Sequence, residues 1–175
     1  ISIFFAVNPE KDIAGYKIAT TTKVMQALMG IDHPCGGMIY QRRIHKSPAT
    51  LKLADFMHLV IECELAVRLA SDLAPVAGGH SRESVRRAIG SVMAAFELIE
   101  DRRAVYKETT ALSLIADNAW NGGIVLGTEL ALTGSLELNG VKGRLTADGR
   151  ERGKGTTDDP LGALAWVANL AIERG

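Results

Sequence analysis

Cysteine is scarce. Only Cys35 and Cys63 occur in 175 residues, too few for a disulfide framework, and Cys63 lies in an apolar run. An excess of charge of either sign is also missing. Twenty Lys and Arg balance twenty Asp and Glu, so net charge gives no case for nucleic acid or an anionic membrane as partner. No apolar run reaches the roughly 20 residues of a membrane helix. The opening Ile1-Ser2-Ile3-Phe4-Phe5-Ala6-Val7 has neither a basic n-region nor a cleavage site after a long h-region. Internal repeats and low-complexity tracts are absent too. The cytosol is the expected compartment. The sequence has no initiator Met and stops on Glu173-Arg174-Gly175, which reads as an internal piece of a longer polypeptide. What is present is ordinary globular composition, 47% apolar and 23% charged, at a length that suits one domain with a substantial core.

Within this composition one stretch stands out, Val60-Ile61-Glu62-Cys63-Glu64-Leu65-Ala66-Val67. Its Val, Ile, Leu and Cys content predicts a strand buried on both faces, with two carboxylates at i and i+2. Side chains alternate along a strand, so Glu62 and Glu64 share a face with Cα atoms roughly 6–7 Å apart. Two like charges on a buried face need protonation, basic partners or a cation. A hard divalent ion such as Mg²⁺ or Mn²⁺, which takes oxygen ligands, is the economical answer. The competing possibility is an edge strand with two solvated glutamates.

Around this strand the chain alternates short extended and helical segments. Residues 1–7 read as a strand or a helix tail, 8–12 as a Pro-containing turn and 14–19 as a short strand carrying Lys17. Thr20-Thr21-Thr22 offers an N-cap for a helix through Val24, Ala27 and Leu28 that Gly30 stops. Pro and Gly make 31–37 a loop, after which 38–40 is extended, and 41–57 reads as a short strand with connections. A helix is predicted from Ser81 to Met93. Residues 95–101 fit either a continuation of that helix or a strand with Glu97 and Ile99 on one face. The segment from Leu112 runs into a Gly-rich loop at Asn121-Gly122-Gly123, and 124–127 is a strand. An Asn-Gly turn at 139–140 is read between short strands, and 142–157 as a long polar loop. Asp159-Pro160 opens the clearest helix, with Leu161, Leu164, Ala165, Ala168 and Ile172 on its apolar side.

Few other residues invite chemistry. His58 lies about 13 Å along the strand from Glu62, too far for a shared ion. Cys63 faces away from the glutamates and suits core packing. Lys17 is either a snorkelling surface lysine or a site lysine. Asp117-Asn118 fits a turn cap with no further role. Arg86-Arg87 and Arg102-Arg103 are as compatible with solvent as with substrate.

Five motifs occur in order: Gly15-Tyr16-Lys17-Ile18; Glu62-Cys63-Glu64; Glu97-Leu98-Ile99-Glu100-Asp101-Arg102; Ala116-Asp117-Asn118-Ala119 followed by Gly122-Gly123-Ile124-Val125-Leu126-Gly127; and Pro160-Leu161 with Leu164-Ala165-Trp166-Val167-Ala168-Asn169. Over residues 14–175 this resembles the 2-keto-4-pentenoate hydratase and 4-oxalocrotonate decarboxylase branch of the fumarylacetoacetate hydrolase superfamily. The resemblance implies an α+β fold, a mixed β-roll with flanking helices. It also implies one catalytic-type domain over 1–175 that lacks N- and C-terminal parts of the usual family chain. Glu97 then joins Glu62 and Glu64 as a third ligand of Mg²⁺ or Mn²⁺, which favours the strand for 95–100, and Lys17 becomes the catalytic lysine. The implied substrate is a small 2-keto acid or 2-hydroxydienoate, and the implied activity is metal-dependent hydration.

Three departures from the family pattern bear on that activity. Cys35 stands where hydratases usually carry an acidic residue, and Trp120-Asn121 stands where a small hydroxyl residue is common. These three are the candidate substrate-contacting positions. The third departure is the absence of the terminal regions, which also leads us to expect a homo-oligomer covering the exposed sheet. The departures keep open a 2-keto acid decarboxylase, a C–C hydrolase of the same superfamily, and a metal-binding relative with impaired catalysis.

Overall fold

The computed structural model describes residues 3–6, 12–134 and 136–174. The turn expected at 8–12 lies outside the described residues apart from Asp12. Ten strands are described, β1 (Ile3–Ala6), β2 (Ile13–Ala19), β3 (Cys35–Tyr40), β4 (Ile44–Lys46), β5 (Leu59–Leu69), β6 (Ile89–Glu100), β7 (Asn121–Leu126), β8 (Leu130–Ala131), β9 (Lys142–Ala147) and β10 (Arg150–Thr156). The α-helices are α1 (Lys23–Leu28), α2 (Arg82–Ala88), α3 (Ala111–Ala116) and α4 (Pro160–Arg174).

One sheet carries β3-β2-β1-β5-β6-β7-β4 in that order, with β8 pairing β6, and β9 and β10 form a separate hairpin. Its pairings are mixed: β1 to β5 and β4 to β7 run parallel, whereas β5 to β6 and β6 to β7 are antiparallel. The sheet curls until β3 touches β7, as a roll does. This is the α+β architecture expected from the resemblance.

Strand alternation sorts the core into two compartments. On one face Ile18, Val67, Val85, Val92, Leu164 and Val167 pack together beneath α2 and α4. Inside the curl, Ile39, Ala66, Met93, Ala95, Ile124 and Leu126 form the second cluster. Each Val, Leu, Ile or Met side chain withdrawn from water here contributes roughly 1.5–3 kcal/mol, and together they hold both layers on the sheet. Helix α4 starts as its sequence signals: Pro160 occupies the first turn and the Asp159 carboxylate accepts from the Gly162 amide at 3.1 Å. Helix α1 is capped by Thr22, whose side chain accepts from the Met25 amide.

Several expectations need correction. The helix predicted over 81–93 stops at Ala88, because Ile89 onward pairs with β5 for the full length of β6, a long-range ladder that helical periodicity cannot reveal. That ladder also settles 95–100 as strand. The loops read at 31–37 and 121–123 are partly strand. A Cβ on Gly36 would lie 2.7 Å from Leu170, and one on Gly122 would lie 2.9 Å from the Leu98 carbonyl. These glycines permit close packing rather than turning. The strands expected around Asn139-Gly140 are not formed. Instead 142–156 is a hairpin turning at Asp148-Gly149, both with positive φ, the pair that a tight two-residue hairpin turn demands. Finally, β5 is not buried on both faces. Ile61 is 44% exposed and Glu62 is also exposed. Among the described residues β1 pairs with β5 only at Leu65 and Ala66, leaving the Glu62 end paired to β6 alone.

Candidate active site

The first part of the site is a consequence of strand register. Glu62 and Glu64 project from one face of β5, and Glu62 lies directly opposite Glu97 on β6. One carboxylate oxygen from each of the three lies within 4.8 Å of the others. Like charges do not assemble so closely without compensation. Glu97, 2% exposed, shows the strain: burial pushes its carboxyl above the ordinary range against the opposing pull of Lys17 and Asn121, and the Glu62 charge pushes the same way.

Part of the compensation comes from β2. Lys17 is 3% exposed, so it does not snorkel, and its Nζ lies 2.6 Å from Glu97 Oε1. It also donates to the Ala119 carbonyl at 3.0 Å. Gly37 makes room for this lysine, since a Cβ there would sit 3.1 Å from Lys17 Cγ. The carbonyl that receives it comes from an unusual turn in which Asn118, Ala119 and Trp120 all have positive φ. A run of left-handed non-glycine residues costs backbone energy and persists only where its surroundings hold it. Asn118 supplies that hold: its Oδ1 accepts from the Met38 amide at 2.7 Å and its Nδ2 donates to the Met38 carbonyl at 2.8 Å. Asp117 pairs with Arg102. Asp117-Asn118 is therefore more than a cap.

The remaining expected residues fall in different places. Asn121 donates to Glu97 Oε1 at 2.8 Å, while its own Oδ1 is buried with no hydrogen-bond partner among the described residues. Trp120 lines a cavity of about 420 Å³ together with Lys17, Glu62 and Glu64. Cys35 is buried in β3 and is not part of that lining. Its amide donates to Thr20 Oγ1 at 3.0 Å, and Thr20 is the residue that reaches the cavity. Cys63 is half-buried and borders the cavity, and burial with the neighbouring Glu64 charge raises its thiol above the ordinary value. It is not the core residue expected. His58 lies at the strand end and is exposed as expected, yet its Nδ1 lies 2.7 Å from the buried Asp101.

Sequence reasoning missed Thr20 and Tyr106. Thr20 adopts φ 55°, rare for a β-branched residue, beside the carboxylates. Its run of three threonines was legible only as a helix cap. Tyr106 stacks edge-on to Trp120 at 5.1 Å and donates its hydroxyl to Asp101 at 2.8 Å. Burial, that hydrogen bond and the Asp101 charge push its phenol up to about 12, so it stays protonated. No local pattern marks it.

The donor set suits a hard divalent cation. Three carboxylates against one ammonium leave two negative charges, and all the offered atoms are oxygens.

Known proteins share this fold and much of this sequence pattern. The fold is that of a fumarylacetoacetate hydrolase-like protein. A solved 4-oxalocrotonate decarboxylase from Pseudomonas putida G7, complexed with magnesium and adipate, superposes with a TM-score of 0.80 at 25% identity over 93% of this chain and 62% of that one. A Yersinia pestis CO92 structure described as a fumarylacetoacetate hydrolase family protein superposes at 0.59 with 16% identity over 96% of this chain and 74% of that one, which speaks for the fold alone. In sequence the chain is 28% identical over 174 residues to a 2-keto-4-pentenoate hydratase of Paraburkholderia phymatum, covering 97% of this chain and 65% of that one. It is 30% identical over 169 residues to a 2-oxo-hept-4-ene-1,7-dioate hydratase of Escherichia coli, covering 91% and 62%. No family model matches the chain. The chain is thus a sequence relative of the 2-keto-4-pentenoate hydratases and 4-oxalocrotonate decarboxylase, with the fumarylacetoacetate hydrolase-like fold. It spans less than two thirds of the length of these curated relatives. Among the described residues no helix is long and apolar enough to cross a membrane.

Proposed function

We propose that residues 1–175 form a single catalytic-type domain of a cytoplasmic, metal-dependent hydratase acting on a small 2-keto acid or its 2-hydroxydienoate form. The observation that carries this reading is the meeting of Glu62, Glu64 and Glu97 with Lys17 in one cavity. In this reading the three glutamates hold Mg²⁺ or Mn²⁺. When bound, such an ion supplies Lewis-acid polarisation to the carboxylate and 2-oxo group of the substrate.

The chain's own groups have separable tasks. An ammonium has three N–H bonds, and Glu97 and the Ala119 carbonyl engage two of those of Lys17, so one remains to exchange a proton with substrate. The Asn121 amide orients Glu97 by its hydrogen bond to Oε1. Trp120, braced by Tyr106, forms a wall that excludes water from the reacting atoms. Cys35 contributes only through Thr20, whose hydroxyl its amide holds.

An ultraviolet assay following loss of a conjugated 2-hydroxydienoate, with and without Mg²⁺ or Mn²⁺, tests the proposal. Metal-dependent loss of absorbance without release of CO₂ supports hydration. Release of CO₂ from a 2-keto diacid supports the second reading, a decarboxylase, which the similarity to the P. putida G7 enzyme favours. No turnover of either leaves a metal-binding relative. A homo-oligomer belongs to the same proposal, supported by the exposure of Ile61 (44%) and Phe96 (40%) on the sheet face away from the carboxylates. A monomer mass in solution removes it.

A further inference from the structure

Glu100, the last residue of β6, and Asp101 after it are adjacent carboxylates, 8% and 1% exposed, and neither lines the cavity. We infer that His58 and Asp101 are positioning residues of the site: together they fix the Tyr106 ring, which in turn fixes Trp120 against the cavity. The inference rests on the reading of Trp120 as a wall of the reaction cavity and deepens it.

Asp101 collects three donors. Its Oδ1 accepts from the Arg103 amide at 2.8 Å and lies 2.7 Å from His58 Nδ1, and its Oδ2 accepts from the Tyr106 hydroxyl at 2.8 Å. An ionised carboxylate only accepts, so Nδ1 of His58 carries the proton in this pair. Glu100 aims the imidazole. Its carboxylate accepts from the amides of Met57 at 2.8 Å and His58 at 3.0 Å, which anchors the backbone just before β5.

Holding the turn after β6 accounts for part of this network. Arg102 and Arg103 both have positive φ, and their amides donate to Glu100 and Asp101, the support that a left-handed pair of non-glycine residues requires. The bond to Tyr106 serves a different end. Tyr106 is 45% exposed, so packing alone does not fix its ring, whereas a hydroxyl tied to a buried carboxylate does. The ring then meets Trp120 edge-on at 5.1 Å, and both residues line the cavity. An edge-to-face contact depends on ring orientation, so the position of Trp120 follows that of Tyr106. His58, its side chain 53% exposed, is the outer end of the series, and Trp120 is the inner end.

Fluorine NMR of the protein labelled with 5-fluorotryptophan reads Trp120 directly and needs no substrate. The sequence holds two tryptophans, so Trp166→Phe assigns both signals, and Trp166, on α4 and outside the cavity lining, serves as the internal control. Tyr106→Phe removes one oxygen atom and keeps the ring. It is expected to shift the Trp120 signal and leave that of Trp166 in place. Asp101→Ala is expected to shift the Trp120 signal in the same direction and His58→Ala by less. His58→Asn, whose side-chain amide donates from nearly the position of Nδ1, is expected to return it toward the parent. A Trp120 signal unmoved by Tyr106→Phe or by His58→Ala overturns the inference. A shift of both tryptophan signals together also overturns it, because that marks general loosening rather than positioning. Where Asp101→Ala fails to fold by circular dichroism, the Tyr106 and His58 variants decide. The keto-acid reading stands or falls separately, by the ultraviolet assay.

Discussion

Lys17 Nζ and Glu97 Oε1 meet at 2.6 Å, both side chains nearly sealed from solvent, although eighty residues separate them in the chain. The pair gives the candidate site one fixed ammonium beside three carboxylates. Replacing Lys17 with Met removes the proton-transfer group and the competing cation together. The hydration rate is expected to fall by about 10²–10⁴. Mn²⁺ affinity, followed by calorimetry in the same variant, is expected not to weaken. A variant that retains half the parent rate would show that Lys17 only balances charge.

Glu64 shares its strand face with Glu62, and their oxygens lie within the 4.8 Å cluster that includes Glu97. Glu64→Gln preserves shape and deletes one charge, so Mn²⁺ binding is expected to weaken by more than about tenfold with little change in thermal unfolding of the metal-free protein. Equal affinities for the two proteins would make the carboxylate pair structural, and the functional reading would go with it.

Asp101 provides a pH-dependent test. Burial acts to raise its carboxyl, but hydrogen bonds from His58, Tyr106 and the Arg103 amide outweigh burial and hold it below the ordinary value. A depressed folded value means that Asp101 stabilises the fold fully above the ordinary carboxylate range. That contribution is lost as pH falls through the depressed value. Asp101→Asn is expected to cost about 1–3 kcal/mol in urea unfolding at neutral pH. The gap to the parent should shrink in acid, and a gap of the same size at both pH values would contradict this account.

Leu164 anchors α4 to the sheet and is fully buried in the cluster with Val67, Val85 and Val92. Leu164→Ala is expected to destabilise by about 2–5 kcal/mol, the range for a buried leucine whose neighbours relax only partly. Chemical denaturation measures it, and a loss under about 1 kcal/mol would mean the helix packs loosely.

By itself the sequence determined whatever depends on local order. Alternation put Glu62 and Glu64 on one face, Asp159-Pro160 fixed the start of α4, and Thr22 capped α1. The motif order pointed further, to Glu97 and Lys17, since a resemblance carries tertiary information that periodicity lacks. Only the tertiary structure decided the rest. Residues 89–93 keep helical spacing yet become strand, because ladders to β5 on one edge and to β7 and β8 on the other take up the backbone groups of β6 over most of its length. The glycines at 36, 37, 122 and 123 look like loop signals yet serve close packing, which depends on what lies opposite them. The left-handed turn at Asn118-Ala119-Trp120 needs the Met38 backbone to hold it, and the placement of Tyr106 needs Asp101. Each is a contact between segments distant in sequence, and no single segment encodes a partner it has yet to meet.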